Sequence, residues 1–128
     1  MGWLRRKKDD GAGTPAEGQV DVTSALHAMA SGAVLVDVRS RPEYERGHIP
    51  GARLVDPREL AASPVDAIWG DDPLAETGKP IIVVSSTGSR AGAAARALRE
   101  SGFDALVLAG GLVAWAQDGQ VLIPGPPR

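Results

Sequence analysis

From Val20 onward, short aliphatic runs alternate with stretches of helical periodicity, the pattern of a parallel sheet with helices on its faces. Residues 19–22 are the first run. Thr23 or Ser24 then caps a helix reaching about Ala30, with Leu26, Met29 and Ala30 at helical spacing and Ser31-Gly32 as its stop. Residues 33–37 read as a buried strand with an acid at its carboxyl end. Residues 41–46 form a helical turn opened by Pro42, 47–51 a rigid turn, 52–55 a short strand and 57–62 a brief helix. Residues 63–78, rich in Pro, Asp and Gly, are the longest irregular connection, pinned to the core by Trp69. Residues 80–84 are the most continuous β-branched run and hence the central strand. A polar loop at 85–89 leads into an Ala-rich helix at 90–101 that Gly102 stops. Residues 105–108 are the last buried strand, Gly110-Gly111 the turn after it, and 112–117 a short helix containing Trp115.

These elements predict one α/β domain over residues 19–123, a five-stranded parallel sheet with helices on both faces. A disordered lead-in occupies 1–18, and a Pro-rich tail at 124–128 cannot continue regular structure. In such sheets the site lies outside the carboxyl ends of the strands. Residues 37–39 and 85–90 both fall there.

Composition narrows the chemistry. With 128 residues, 43% hydrophobic and 23% charged, the chain suits a single core. Its 14 basic and 16 acidic side chains leave a net charge of -2 and no surplus for a phosphate backbone, so nucleic acid is not an expected partner. Arg5, Arg6, Lys7 and Lys8 beside Trp3 and Leu4 could touch an anionic surface, yet no apolar run is long enough for stable membrane insertion. The charged start lacks the apolar stretch of a signal peptide, which predicts a cytoplasmic location. The two histidines, His27 and His48, stand apart, and neither a metal nor another cofactor is expected.

The cysteine count is zero. That excludes disulfides, zinc-thiolate sites and a thiol nucleophile. What remains is the loop Ser85-Ser86-Thr87-Gly88-Ser89-Arg90, small at every position but the last. Between a strand and a helix, its backbone N–H groups can turn toward one spot, beside the partial positive charge of the helix start. Gly88 allows a conformation closed to larger residues, and Arg90 either bonds loop carbonyls or supplies a cation. This is an anion cradle, and it lacks the Gly-Lys-Ser/Thr ending of a nucleotide-binding loop.

Four segments then resemble the rhodanese (sulfurtransferase) domain family: Leu35-Val36-Asp37-Val38-Arg39 with Glu43-Tyr44, Gly47-His48-Ile49-Pro50-Gly51-Ala52, residues 81–98, and Gly110-Gly111 with Trp115. The resemblance implies an active-site loop that begins with a cysteine and ends with an arginine, with four residues between them. Here the arginine is Arg90, the glycine Gly88, and the cysteine position holds Ser85. In the family that thiolate carries sulfur as a persulfide. A serine hydroxyl, with a pKa far above a thiol's and no exchangeable bond to sulfur, cannot do so.

Three readings follow. The domain is catalytically silent and uses loop 85–90 to bind a small anion (thiosulfate, sulfate or similar) or a protein partner. Alternatively it is a thiosulfate-type sulfurtransferase whose catalytic cysteine at position 85 has been replaced by serine, or a structural domain with no ligand. The first is preferred. Ser85 as a nucleophile would need His48 as base with Asp37 or Glu43 behind it, and the Gly-x-Ser-x-Gly elbow is absent. Asp37 and Arg39 are candidates for the mouth of the site. Their structural alternative has Asp37 capping its strand end or pairing with an arginine, and Arg39 pairing with Glu43.

Overall fold

The computed structural model describes residues 17–127. Five parallel strands, β1 (Gln19–Val20), β2 (Val34–Asp37), β3 (Arg53–Leu54), β4 (Ile81–Val84) and β5 (Ala105–Leu108), form one sheet in the order β1-β5-β4-β2-β3. Six helices connect them: α1 (Val22–Ala30), α2 (Arg41–Arg46), α3 (Pro57–Ala62), α4 (Pro64–Trp69), α5 (Ser89–Glu100) and α6 (Gly111–Gln117). The predicted fold class is the observed one.

Because side chains alternate across a strand, the aliphatic run of β4 feeds both faces of the sheet at once. Ile81 and Val83 join Val36, Ala105 and Val107 in a core that Leu60, Ile68, Trp69, Ala91, Ala95 and Leu98 complete from α3, α4 and α5. Ile82 and Val84 join Leu35 and Leu108 under Ala25, Tyr44, Leu112 and Trp115 from α1, α2 and α6. All four β4 side chains are 0% exposed, which explains a run with no polar interruption.

Local chemistry sets most boundaries and corrects several expectations. Asp21, not Thr23 or Ser24, caps α1 by accepting the Ser24 N–H at 2.8 Å, so the helix begins earlier and the first strand is shorter than 19–22. Ser40 and Glu43 form a reciprocal capping box at the start of α2. Within the stretch expected to be irregular, Pro64–Trp69 form α4, with Pro64 in its first turn and Asp66 favourably placed beside the helix start. Trp69 is buried as expected, but from this helix, with its ring 6.1 Å from Phe103.

The register aligns Asp37 of β2 with Val84 of β4, so both strands end at the same level. Loop 85–90 therefore emerges beside the segment that follows Asp37. On its other side it meets the β5–α6 turn, because β5 is the second neighbour of β4. Among the described residues no helix is long and apolar enough to cross a membrane. The lead-in cations Arg5 to Lys8, with Trp3 and Leu4, lie outside the described residues.

Candidate functional site

Loop 85–90 is held by the α6 side of the molecule. The Leu112 N–H donates to the Ser85 carbonyl at 3.0 Å, and the Val113 N–H donates to the Ser86 carbonyl at 3.1 Å. This docking needs a residue without a side chain at position 111. Gly111 sits at φ +59°, and a Cβ there would overlap both carbonyl oxygens. Gly88 at φ +104° makes the reversal between the loop and α5, with its Cα side against the Gly110 backbone.

The Ser85 and Ser86 carbonyls are thus both engaged. Gly88 is the N-cap of α5 and has no side chain to cap with. Ser85 performs that task from three residues upstream: its Oγ accepts the Gly88 N–H at 3.0 Å and the Ala91 N–H at 3.2 Å. Ser85 is 1% exposed. Position 85 thus holds an oxygen occupied as a hydrogen-bond acceptor. The N–H groups of Ser86, Thr87, Ser89 and Arg90 take no acceptor among the described residues.

Of the two roles expected for Arg90, bonding loop carbonyls is not the one observed. Its guanidinium bonds no loop carbonyl. Instead it forms a two-pronged pair with Glu43, Nη1 to Oε1 at 3.1 Å and Nη2 to Oε2 at 3.2 Å, and Nη2 also donates to the Ser86 hydroxyl at 3.3 Å. Glu43 holds α2 through Ser40 and the loop through Arg90 at the same time. The Arg90 hydrogen bond, then the Ser40 backbone N–H, lower the Glu43 carboxyl to about 2 against desolvation. Glu43 in turn raises Arg90, mainly through the same hydrogen bond.

The expected Arg39–Glu43 pair is therefore absent. Arg39 folds back on Asp37, with Nε to Oδ1 at 3.0 Å and Nη2 to Oδ2 at 2.9 Å, and the Arg39 N–H donates to the same carboxylate. Arg39 Nη2 reaches on to the Gly47 carbonyl at 2.7 Å. Asp37 is 0% exposed and Arg39 9%, so the pair ties the end of β2 to the turn after α2. Arg39 still lines a cleft beside the loop, while Asp37 does not.

His48 is engaged elsewhere. Its Nδ1 donates to the Tyr44 carbonyl at 2.8 Å, its ring stacks on Tyr44 with centroids 3.7 Å apart, and its backbone exchanges two hydrogen bonds with Ile123. No hydrogen bond joins it to Ser85, so the nucleophile–base arrangement is not formed. Among the described residues no group of His, Asp and Glu could hold a metal ion.

Sequence reasoning missed Glu43 as the loop's partner. Its place in Ser40-x-x-Glu43 reads as a local capping box, and the second role requires knowing that β2 and β4 are neighbours.

Comparison with known proteins agrees with this geometry. The model of the rhodanese-like domain family matches residues 21–118. An uncharacterized protein of Escherichia coli (strain K12), YibN, is 34% identical over 73% of this chain, and the match spans 62% of that protein's length. The thiosulfate sulfurtransferase GlpE of Pseudomonas fluorescens is 39% identical over 70% of this chain and 78% of its own. Among solved structures, the human single-domain sulfurtransferase TSTD1 superposes with a TM-score of 0.66 at 26% identity, covering 80% of this chain and 97% of that one. Ten of the eleven described strands and helices lie within the family match. The chain belongs to the rhodanese-like domain family and contains no cysteine.

Proposed function

We propose that this domain, over residues 19–123, transfers no sulfur and instead binds a small oxyanion such as thiosulfate or sulfate, or a protein partner, at loop 85–90. The observation that carries the reading is the Ser85 hydroxyl, buried and accepting the Gly88 and Ala91 N–H groups, in a chain with no cysteine. Hydrogen bonds that would stabilise a thiolate here hold a neutral oxygen with no base within reach. An anion would meet the N–H groups of Ser86, Thr87, Ser89 and Arg90, in place of the charge a persulfide would bring.

The experiment is thermal unfolding with added thiosulfate or sulfate. A ligand at ten times its Kd adds about 1.4 kcal/mol and raises the Tm of a domain this size by several degrees. A concentration-dependent rise at constant ionic strength supports the reading. No rise at about 50 mM anion means binding too weak to stabilise the folded state and overturns it.

A second reading, a thiosulfate sulfurtransferase whose cysteine at position 85 is replaced by serine, is favoured by the undamaged remainder of the loop. Gly88, Arg90 and the docking of Gly111 against the loop are all in place. A cysteine codon at position 85 of the encoding gene would establish it and remove the first.

A further inference from the structure

Beside loop 85–90, between the ends of β2 and β3, lies a cleft of 480 Å³. Four arginines line it: Arg39, Arg41, Arg58 and Arg90. In a chain of net charge -2 this is a marked local concentration of cations. Asp56 is the one acid among the lining residues. The carboxylates paired with Arg39, Arg41 and Arg90 are Asp37, Glu45 and Glu43, none of which lines the cleft. Arg58 pairs with Asp56 within the lining, whereas the carboxylates paired with the other three arginines lie outside it.

Two of the four are readily recruited. Arg41 and Arg58 side chains are 64% and 90% exposed, and each holds a single exposed carboxylate. Such pairs are worth at most about 1 kcal/mol, so an incoming carboxylate can replace the internal one at little cost. Arg41 and Arg58 can then offer the planar fork that suits carboxylates. Val38, Leu54 and Pro57 supply apolar surface between the cations.

We propose that this cleft docks an extended acidic segment of a protein partner, with carboxylates on Arg41, Arg58 and Arg90 and an aliphatic side chain against Leu54 and Pro57. The inference rests on the reading of loop 85–90 as an anion-facing site, since Arg90 belongs to both, but it depends chiefly on Arg41 and Arg58. Its volume lies in the range of about 300–1,000 Å³ that takes ligands much larger than one oxyanion. A nucleic acid fits less well, because no aromatic side chain lines the cleft for base stacking.

The test is fluorescence anisotropy at low ionic strength, with a fluorescein-labelled peptide alternating glutamate and leucine and a labelled oligothymidine of equal charge. Saturable binding of the peptide, weakened about tenfold or more in the doubly substituted Arg41→Glu, Arg58→Glu protein, is expected. Circular dichroism confirms that the variant is folded, as the exposure of both side chains implies. No peptide binding at about 1 mM, undiminished affinity in the folded variant, or equal affinity for oligothymidine overturns the proposal. Sulfate-dependent Tm of the unmodified protein reads the loop separately, so failure of the cleft and failure of the loop give different results.

Discussion

At the residue scale, one atom decides what this site can do. Ser85 Oγ takes two N–H groups that the glycine N-cap of α5 cannot satisfy, so the residue in the reactive position serves as a helix cap. Ser85→Ala should therefore cost about 1–2 kcal/mol in urea unfolding, the loss of a cap with its buried donors left unpaired. A neutral result would mean that the loop does not depend on this oxygen.

The glycines give a sharper contrast. Gly111→Ala puts a methyl group onto the Ser85 and Ser86 carbonyls at a positive φ and should destabilise by about 2–4 kcal/mol. Gly92→Ala lies inside α5 with nothing within 4 Å of its Cβ, and should stabilise by about 0.5–1 kcal/mol. Equal effects in the same unfolding assay would contradict the packing described. The Gly110-Gly111 pair was legible in the sequence only as a turn. Its close approach to the loop depends on β4 and β5 being neighbours, which no local pattern reveals.

At the scale of elements, Glu43 joins α2 to the loop at the head of α5. Its carboxyl is held near 2, mainly by Arg90, against an ordinary value of 4.5. A lowered folded-state value contributes stability that is present above about pH 4.5 and is lost as the pH falls toward 2. Because half of the Arg90 side chain is exposed, Glu43→Gln should cost no more than about 1 kcal/mol at pH 7. The variant should also lose part of the stability drop between pH 4.5 and 2, and the unfolding curves of the two proteins should converge toward the acid end. An unchanged gap at both ends of that range would show that the pair contributes nothing through its charge.

The central strands β2, β4 and β5 were legible because each is short, mainly aliphatic and largely buried. The missed helix, α4, failed to show because it is only six residues long and runs straight into Gly70-Asp71-Asp72-Pro73. Yet Pro64 with Asp66 two residues later is a helix-start pattern that outweighs composition. The Arg39 partner was misassigned for a related reason: four-residue spacing favours a pair only inside a helix, and Arg39 precedes α2.

At the scale of the whole molecule, the chain has the rhodanese-like five-stranded sheet and contains no cysteine. Fold and family were readable because four motifs keep their order and spacing. The electrostatic arrangement was not, since Arg90, Glu43, Arg41 and Arg58 meet only through the sheet order. The central claim is that the site is complete except for its thiol. Ser85→Cys, assayed beside the unmodified protein for sulfur transfer from thiosulfate to cyanide, tests it most directly. Activity is expected in the variant and none in the unmodified chain. Transfer by the unmodified chain, or a folded Ser85→Cys protein that transfers nothing, would contradict it.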